Sequence, residues 1–324
     1  MIRSLMSMKR LQLTPDLSVS QISLGTAALG VDMTDAEAAD LIGAYRDAGG
    51  NFLDTAHVYA AWTPSGSGSS ECTIARYLKA NGRGDLVVAT KGGHPGMSGY
   101  RRVERWLDPA RVHADIEDSL GRLDVDRLDL YYLHRDDTRF SVAEIIDMLN
   151  AEIDAGNLGA IAASNWTRAR LEAANEYAAS RGLRGFVASQ VQWSFARRET
   201  PAPMPHGEQG VYAQADDLDY HVRSGLPLCA YTSTAAGYFS DREPKPQAFD
   251  SSENRARLAR ARKLAEAKGA SATQVALGWM LHQSFPCIPI TGTCDVDHLR
   301  ENLGAADVSL TEEEQRYLER GSQS

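Results

Sequence analysis

Four side chains able to hold or move protons, Asp54, Tyr59, Lys91 and His134, are spread through the first half of this 324-residue chain. A tyrosine alone exchanges its proton poorly near neutrality, because a phenol titrates at about 10. A lysine ammonium beside it would stabilise the phenolate and lower that value. A buried ammonium in turn needs a carboxylate, since an unpaired charge away from water is costly. Tyr59, Lys91 and Asp54 could thus form a relay, with His134 as a second donor converging on the same substrate oxygen. Such a set activates a carbonyl or an alcohol but holds no electron source, so a redox cofactor is the simplest missing part. Asn165 and Gln190 are primary amides that can read a carboxamide through paired hydrogen bonds, and Tyr231 offers a face to a flat ring. A carboxamide on a flat ring describes a nicotinamide.

The elements that must position these groups can be read from periodicity. After an N-terminal hairpin over "KRLQLTPDLSVSQ", short apolar runs alternate with helical patterns: "ISLGT", "NFLDTA", "LVVATK", "LDLYYLH", "LGAIAAS", "FVASQVQW", "LPLCAYT" and "CIPIT". "LVVATK" is apolar throughout, the pattern of a strand buried on both faces of a parallel sheet. Helix starts are marked by capping boxes at Thr34 with Glu37 and at Ser141 with Glu144, and by Asp108 before Pro109. A terminal helix begins in "SLTEEEQRYLE". Eight strand–helix units with no linker or repeat predict an α/β fold, one closed (β/α)8 barrel domain over residues 1–324. The alternative, a doubly wound sheet, would want G-x-G-x-x-G after the first strand, and "GTAALG" does not supply it.

In a barrel, chemistry belongs at the C-terminal strand ends. Read in order, those ends carry Gly25-Thr26, Asp54, Lys91, His134, Ser164-Asn165, Gln190, Tyr231-Thr232 and Thr291-Gly292-Thr293. Any one of these has a bland structural explanation. A polar group at strand end after strand end does not.

Composition narrows the classes. Hydrophobic residues at 43% give ample core, and no apolar run reaches the length of a membrane span. A net charge of −9 with no basic cluster argues against a partner that is nucleic acid or an anionic membrane. Cys72, Cys229, Cys287 and Cys294 form no metal-binding spacing, and Cys229 and Cys287 lie in apolar runs as core thiols. The opening "MIRSLMSMKR" is too short and interrupted for a secretory leader, so a reduced cytoplasmic protein without metal is expected.

At this point the chain is seen to resemble the aldo-keto reductases along essentially its whole length. The matching motifs are "LGTAALG", "NFLDTAHVY", "ATKGG", "DLYYLHRDD", "AASNW", "SQVQWSF", "AYTSTAAG" and "IPITGTCDVDHLRENLGA". The resemblance implies the (β/α)8 barrel and reversible, NAD(P)-dependent reduction of aldehydes and ketones. It implies a catalytic tetrad of Asp54, Tyr59, Lys91 and His134. Ser164, Asn165 and Gln190 would hold the carboxamide and Tyr231 would stack on the ring. Thr232 and the turn after it would follow the pyrophosphate, and Glu301 and Asn302 would contact the adenine. Gly25, Thr26, Gly292 and Thr293 are expected against the cofactor as well.

The sequence departs from the family just before Glu301-Asn302, where relatives commonly place a lysine or arginine for a 2′-phosphate. Here stand Asp295 and Asp297, which would repel a phosphate, while a ribose 2′-hydroxyl could donate to Asp295. NAD is therefore expected over NADP, and with it an alcohol dehydrogenase acting on a sugar, cyclitol or related polyol. The alternative is a broad NADPH-dependent aldehyde and ketone reductase in which Asp295 faces solvent and Arg300 or another basic group binds the phosphate. Walls for a small-molecule substrate are expected from Trp62, Trp166, Trp193 and the loops 94–106 and 194–212, beside Tyr59 and His134. Two rivals of other classes are a lyase using Lys91 as a Schiff base and a non-catalytic cofactor-binding subunit. Whether the chain works as a monomer or a homo-oligomer is left open by the sequence.

Overall fold

The computed structural model describes residues 8–96, 100, 105–198, 211–241 and 243–321. The expected hairpin forms from β1 (Arg10–Thr14) and β2 (Leu17–Ser20), paired antiparallel. Strands and helices then alternate. The first half holds β3 (Ser23–Gly25), α1 (Asp35–Asp47), β4 (Phe52–Asp54), α2 (Ser69–Asn81), β5 (Val87–Gly92), α3 (Pro109–Leu123), β6 (Leu128–Leu133) and α4 (Val142–Asp154). The second holds β7 (Leu158–Ser164), α5 (Arg168–Arg181), β8 (Ser189–Gln192), α6 (Ala215–Ser224), β9 (Leu228–Tyr231), α7 (Ser252–Lys268), α8 (Ala272–Leu281), β10 (Cys287–Gly292), α9 (Val296–Leu303) and α10 (Glu312–Arg320). Strands β3 to β10 run parallel and close into a barrel, β10 returning to β3 with Ile290 opposite Ser23.

The helix starts follow their sequence signals. Thr34 and Glu37 bond reciprocally at the head of α1, as do Ser141 and Glu144 at α4. The Asp108 side chain accepts from the Ala110 N–H, with Pro109 as the first helical residue of α3. Each such cap satisfies backbone donors that the helix itself leaves unpaired.

Two packing layers follow from the pleat, which sends successive side chains to opposite faces. Phe52, Val87, Ala89, Leu130, Tyr132, Ala160, Ala162, Ala188, Cys229, Ile288 and Ile290 fill the lumen. Their neighbours Leu53, Val88, Tyr131, Leu133, Ile161, Ala163, Val191 and Ala230 pack outward against the helices. Leu17 and Val19 of the hairpin belong to the lumen cluster and close its lower end. Asn51, just before β4, ties the hairpin there: its carbonyl accepts from Ser20 N at 2.7 Å and its amide donates to Ser18 O at 3.0 Å. All four cysteines are free thiols, with Cys229 and Cys287 buried. Among the described residues no helix is long and apolar enough to cross a membrane.

Alternation carries each strand from lumen to rim in steps of two. Phe52 leads to Asp54, Val87 and Ala89 to Lys91, Leu130 and Tyr132 to His134, Ala160 and Ala162 to Ser164, and Ala188 to Gln190. Gly92, the next residue after Lys91, must stay a glycine, because a Cβ there would overlap the Tyr131 hydroxyl and stand 2.8 Å from the Asp115 Cβ. Gly92→Ala should therefore cost about 1–3 kcal/mol through overpacking. Urea unfolding checks this as a lowered midpoint at unchanged slope; an unaltered midpoint would mean that the rim can relax around the methyl group.

Candidate active site

The short strand β4 ends on Asp54, and β5 brings Lys91 alongside it. Lys91 is 1% exposed, so its ammonium must find all its partners inside the protein. It does: Nζ donates to Asp54 Oδ2 at 2.7 Å, to the Thr55 carbonyl at 2.8 Å and to Tyr59 Oη at 3.1 Å. Three donors meet three acceptors, which satisfies an ammonium completely. The second oxygen of Asp54 accepts from Gln190 Nε2 at 2.8 Å, so the carboxylate is clamped from across the barrel. Tyr59 lies in the loop after β4, held by its N–H donating to the Ala56 carbonyl at 3.0 Å. The His134 ring stands edge-on to Tyr59, with centroids 6.2 Å apart. The four residues expected to act together are thus adjacent.

Electrostatics correct one expectation. Burial raises the Tyr59 pKa and outweighs the opposing pull of Lys91, so the phenol sits above its ordinary range rather than below it. Burial also works against the charge on Lys91, but Asp54 and Tyr59 more than offset it and the ammonium is held. His134 is pushed well below the usual imidazole range, by burial first and then by His94, Arg135 and Lys91. The pocket therefore presents a protonated phenol and a neutral imidazole at physiological pH.

The residues expected around a nicotinamide gather on the neighbouring strand ends. The Asn165 amide donates to Ser164 Oγ at 2.9 Å and to the His134 carbonyl at 3.3 Å, and its oxygen accepts from Tyr231 Oη at 2.7 Å. Tyr231 is raised to about 12 by burial. Asn165 and Thr232 both have positive φ, 58° and 56°, and Ala60 beside Tyr59 has 72°. Such a backbone is costly for a β-branched residue like Thr232 and tends to mark functional loops. Beyond Thr232 the turn keeps positive φ at Ala235, Ala236 and Gly237. Thr26 is engaged from below, its hydroxyl and N–H both donating to the Asp54 carbonyl. Gly25 pairs with Gly292 between β3 and β10. The Thr293 hydroxyl accepts from Asp295 N at 3.0 Å, while Glu301 and Asn302 lie on α9.

Two placements differ from those expected. Trp166 is buried in the outer layer against Phe186, and Trp193 packs on Trp279 and Phe285, so neither forms a wall of the mouth. Asp295 is the N-cap of α9, one oxygen accepting from the N–H groups of Asp297 at 2.8 Å and His298 at 2.9 Å. Trp62 is 47% exposed and makes a T-shaped contact with Tyr59. Of the two candidate loops, residues 97–99, 101–104 and 199–210 lie outside the described residues. His57 stays out of the tetrad, its ring bonded to Asp118 and Tyr100 at 3.0 Å each.

Sequence reasoning missed the Thr55 carbonyl, which has no side-chain signature, and the contact of His94 with His134 at 4.9 Å between centroids. Arg135, donating to the His134 carbonyl at 3.0 Å, also places its charge near Tyr59 and Tyr231. Among the described residues no cluster could hold a metal ion.

A model of the aldo/keto reductase family matches residues 21–322. The chain is 28% identical to the aldo-keto reductase ausK of Aspergillus calidoustus, over 94% of this chain and 79% of that one. It is likewise 28% identical to the norsolorinic acid reductase stcV of Emericella nidulans, over 92% and 77%. The solved structure of the thermostable aldo-keto reductase Tm1743, in complex with the inhibitor epalrestat, shares the fold with a TM-score of 0.75 at 23% identity, covering 97% of this chain and all of that one.

The ion pair at the centre sets a stability prediction. Asp54→Asn leaves the Lys91 ammonium without its carboxylate and should cost about 3–5 kcal/mol. Denaturant unfolding at pH 7 measures this, and a loss below about 1 kcal/mol would mean that water reaches Lys91.

Proposed function

The chain belongs to the aldo/keto reductase family, and from that premise we propose that it interconverts a carbonyl compound and its alcohol with Tyr59 as the proton donor and NAD(H) as the hydride partner. The observation that carries the reading is the Lys91 ammonium at 3.1 Å from the Tyr59 hydroxyl. Because Lys91 donates to that oxygen, the phenol's own hydrogen is free to point elsewhere, and the negative charge left after its transfer is met by an ammonium already in place. Asp54 holds Lys91, and Gln190 holds Asp54. His134, neutral, donates to the same substrate oxygen and orients it.

The residues fit a nicotinamide by the chemistry of their donors and acceptors. Ser164, Asn165 and Gln190 are hydroxyl and amide groups at the lumen mouth, with the flat face of Tyr231 next to them. When bound, the reduced nicotinamide supplies a hydride to the carbonyl carbon, and the proton from Tyr59 completes the alcohol. Gly25, Thr26, Thr232, Gly292, Thr293, Glu301 and Asn302 would receive the rest of the dinucleotide. Preference for NAD rests on Asp295: its carboxylate occupies the N-terminus of α9, the position that would otherwise attract a phosphate. Arg300, a cation that could hold a phosphate there, is paired with Asp297 at 3.0 Å. The exposed face of Trp62 beside Tyr59 suits a sugar, cyclitol or related polyol ring. A second reading is NADPH-dependent reduction of aldehydes and ketones, whose reductive direction is favoured by the relative described as a norsolorinic acid reductase.

Fluorescence titration should find NAD bound more tightly than NADP. Asp295→Ser, which keeps a capping hydroxyl but removes the charge, should narrow the gap. Tighter NADP binding, with a ratio that Asp295→Arg leaves unchanged, would transfer the conclusion to the second reading. Tyr59→Phe should abolish turnover on a panel of sugars, polyols and aldehydes while cofactor binding persists.

A pH profile follows from the direction of the Tyr59 shift. Reduction needs the protonated phenol, and a raised pKa extends that form upward. Carbonyl reduction should hold steady across neutral pH and fall only above about 10, whereas alcohol oxidation should climb over the same range. A decline of reduction centred near neutrality would contradict this.

A further inference from the structure

We propose that His94 is a positioning residue for His134: its ring packs edge to face on the His134 imidazole and fixes the orientation in which that imidazole meets the substrate oxygen beside Tyr59. The inference rests on the proposed role of His134, and it begins from a missing bond. His134 is buried, yet among the described residues its Nδ1 has no hydrogen-bond partner. An active-site imidazole is ordinarily held in one tautomer and one rotation by a bond from its second nitrogen. Among the described residues no group makes that bond, and ring contacts must do the work.

Among the described residues two rings make those contacts. Tyr59 stands 6.2 Å away between centroids at 78°. His94 is much nearer, at 4.9 Å and 73°. Tyr59 shares the substrate with His134 and exchanges a proton with it, so the anchor that takes no part in the reaction is His94.

His94 is itself held firmly. Its Nδ1 accepts from the Gly96 N–H at 3.1 Å, so neutral His94 carries its proton on Nε2. The Tyr100 ring meets its edge at 6.2 Å and 78°. The Tyr100 hydroxyl is bonded to His57 Nδ1 at 3.0 Å, and His57 Nε2 to Asp118 at 3.0 Å. One residue before His94, the Gly93 N–H donates to Asp115 Oδ2 at 2.8 Å. A column of rings therefore runs from the carboxylates of α3 to the face of His134. It gives His57, idle in the proton relay, a supporting place at the base of the column.

Two substitutions separate the ring of His94 from its hydrogen bond. His94→Phe keeps an aromatic ring and loses the acceptor for Gly96. His94→Asn keeps an acceptor and loses the ring. The whole protein is assayed for cofactor binding by fluorescence and for reduction of glyceraldehyde as the carbonyl probe. The His134 imidazole is followed by 15N resonance in histidine-labelled protein, assigned by its loss in His134→Gln. His94→Asn should lower kcat about ten- to hundredfold, since misplacing a donor by an ångström costs that much, with cofactor affinity unchanged. His94→Phe should stay within threefold of wild type. The two 15N resonances of His134, well separated in wild type and in His94→Phe, should move toward a common average in His94→Asn.

Resonances unmoved by His94→Asn overturn the proposal, whatever happens to kcat. So does a larger loss in His94→Phe than in His94→Asn, because that would make His94 an anchor of its own loop. Failure of wild type to bind either nucleotide would sink the proposed function instead, and the resonance measurement would still decide on His94.

Discussion

A buried ammonium is the demand that organises the rim of this barrel. Lys91 is screened from water, and desolvating such a charge costs several kcal/mol unless every proton on it is received. Asp54 supplies the countercharge, Thr55 a carbonyl and Tyr59 a hydroxyl. These three come from a single stretch of six residues, so the path of the chain after β4 is dictated by the geometry of one amino group. Gln190 extends the constraint across the barrel by holding the other oxygen of Asp54. Chemistry and stability are therefore the same problem here, and the group that would stabilise a phenolate is also one that the fold cannot leave unpaired.

The pleat turns this local requirement into an architecture. Asp54, Lys91, His134, Ser164 and Gln190 stand at or just past strand ends as the last inward positions above apolar side chains, and Tyr59 joins them from the loop after β4. A shift of one residue in any strand would send its reactive group outward among the helices and an apolar one into the mouth. The site thus inherits its precision from the core below it. The strained positions lie one step further on: Ala60, Asn165 and Thr232 follow Tyr59, Ser164 and Tyr231 directly. Regular structure ends there and the loops begin.

Most of this was legible in the sequence because the barrel strands are buried on both faces and read as unbroken apolar runs, with capped helices between them. Asp54, Lys91 and His134 could be read as strand-end groups for the same reason. What escaped falls under distinct physical causes. The bond between Gln190 and Asp54 joins residues 136 apart and exists only once the sheet has closed. Alternation beyond Ser164 would have turned Trp166 inward, but the positive φ of Asn165 breaks the pleat and Trp166 goes to the outer layer. Trp193, an odd step from Gln190, could have been placed outward by counting. Asp295 precedes a helical pattern and carries an N-cap signature, so its position was legible as well as its charge. The direction of the Tyr59 shift was misjudged because sequence supplies the neighbouring charge but not the depth at which the pair is buried.

The hairpin at the start of the chain looks remote from all this, yet Leu17 and Val19 give the barrel a floor. A vessel with a floor is approached from its brim. Any molecule that reaches the strand-end groups by that side shares the way in with whatever leaves, and what occupies the brim sets the order of traffic. Change is unequally permitted as a result. Wall and floor answer to packing alone, whereas the loops at the brim are where a new preference for one molecule over another can be written without disturbing what lies beneath.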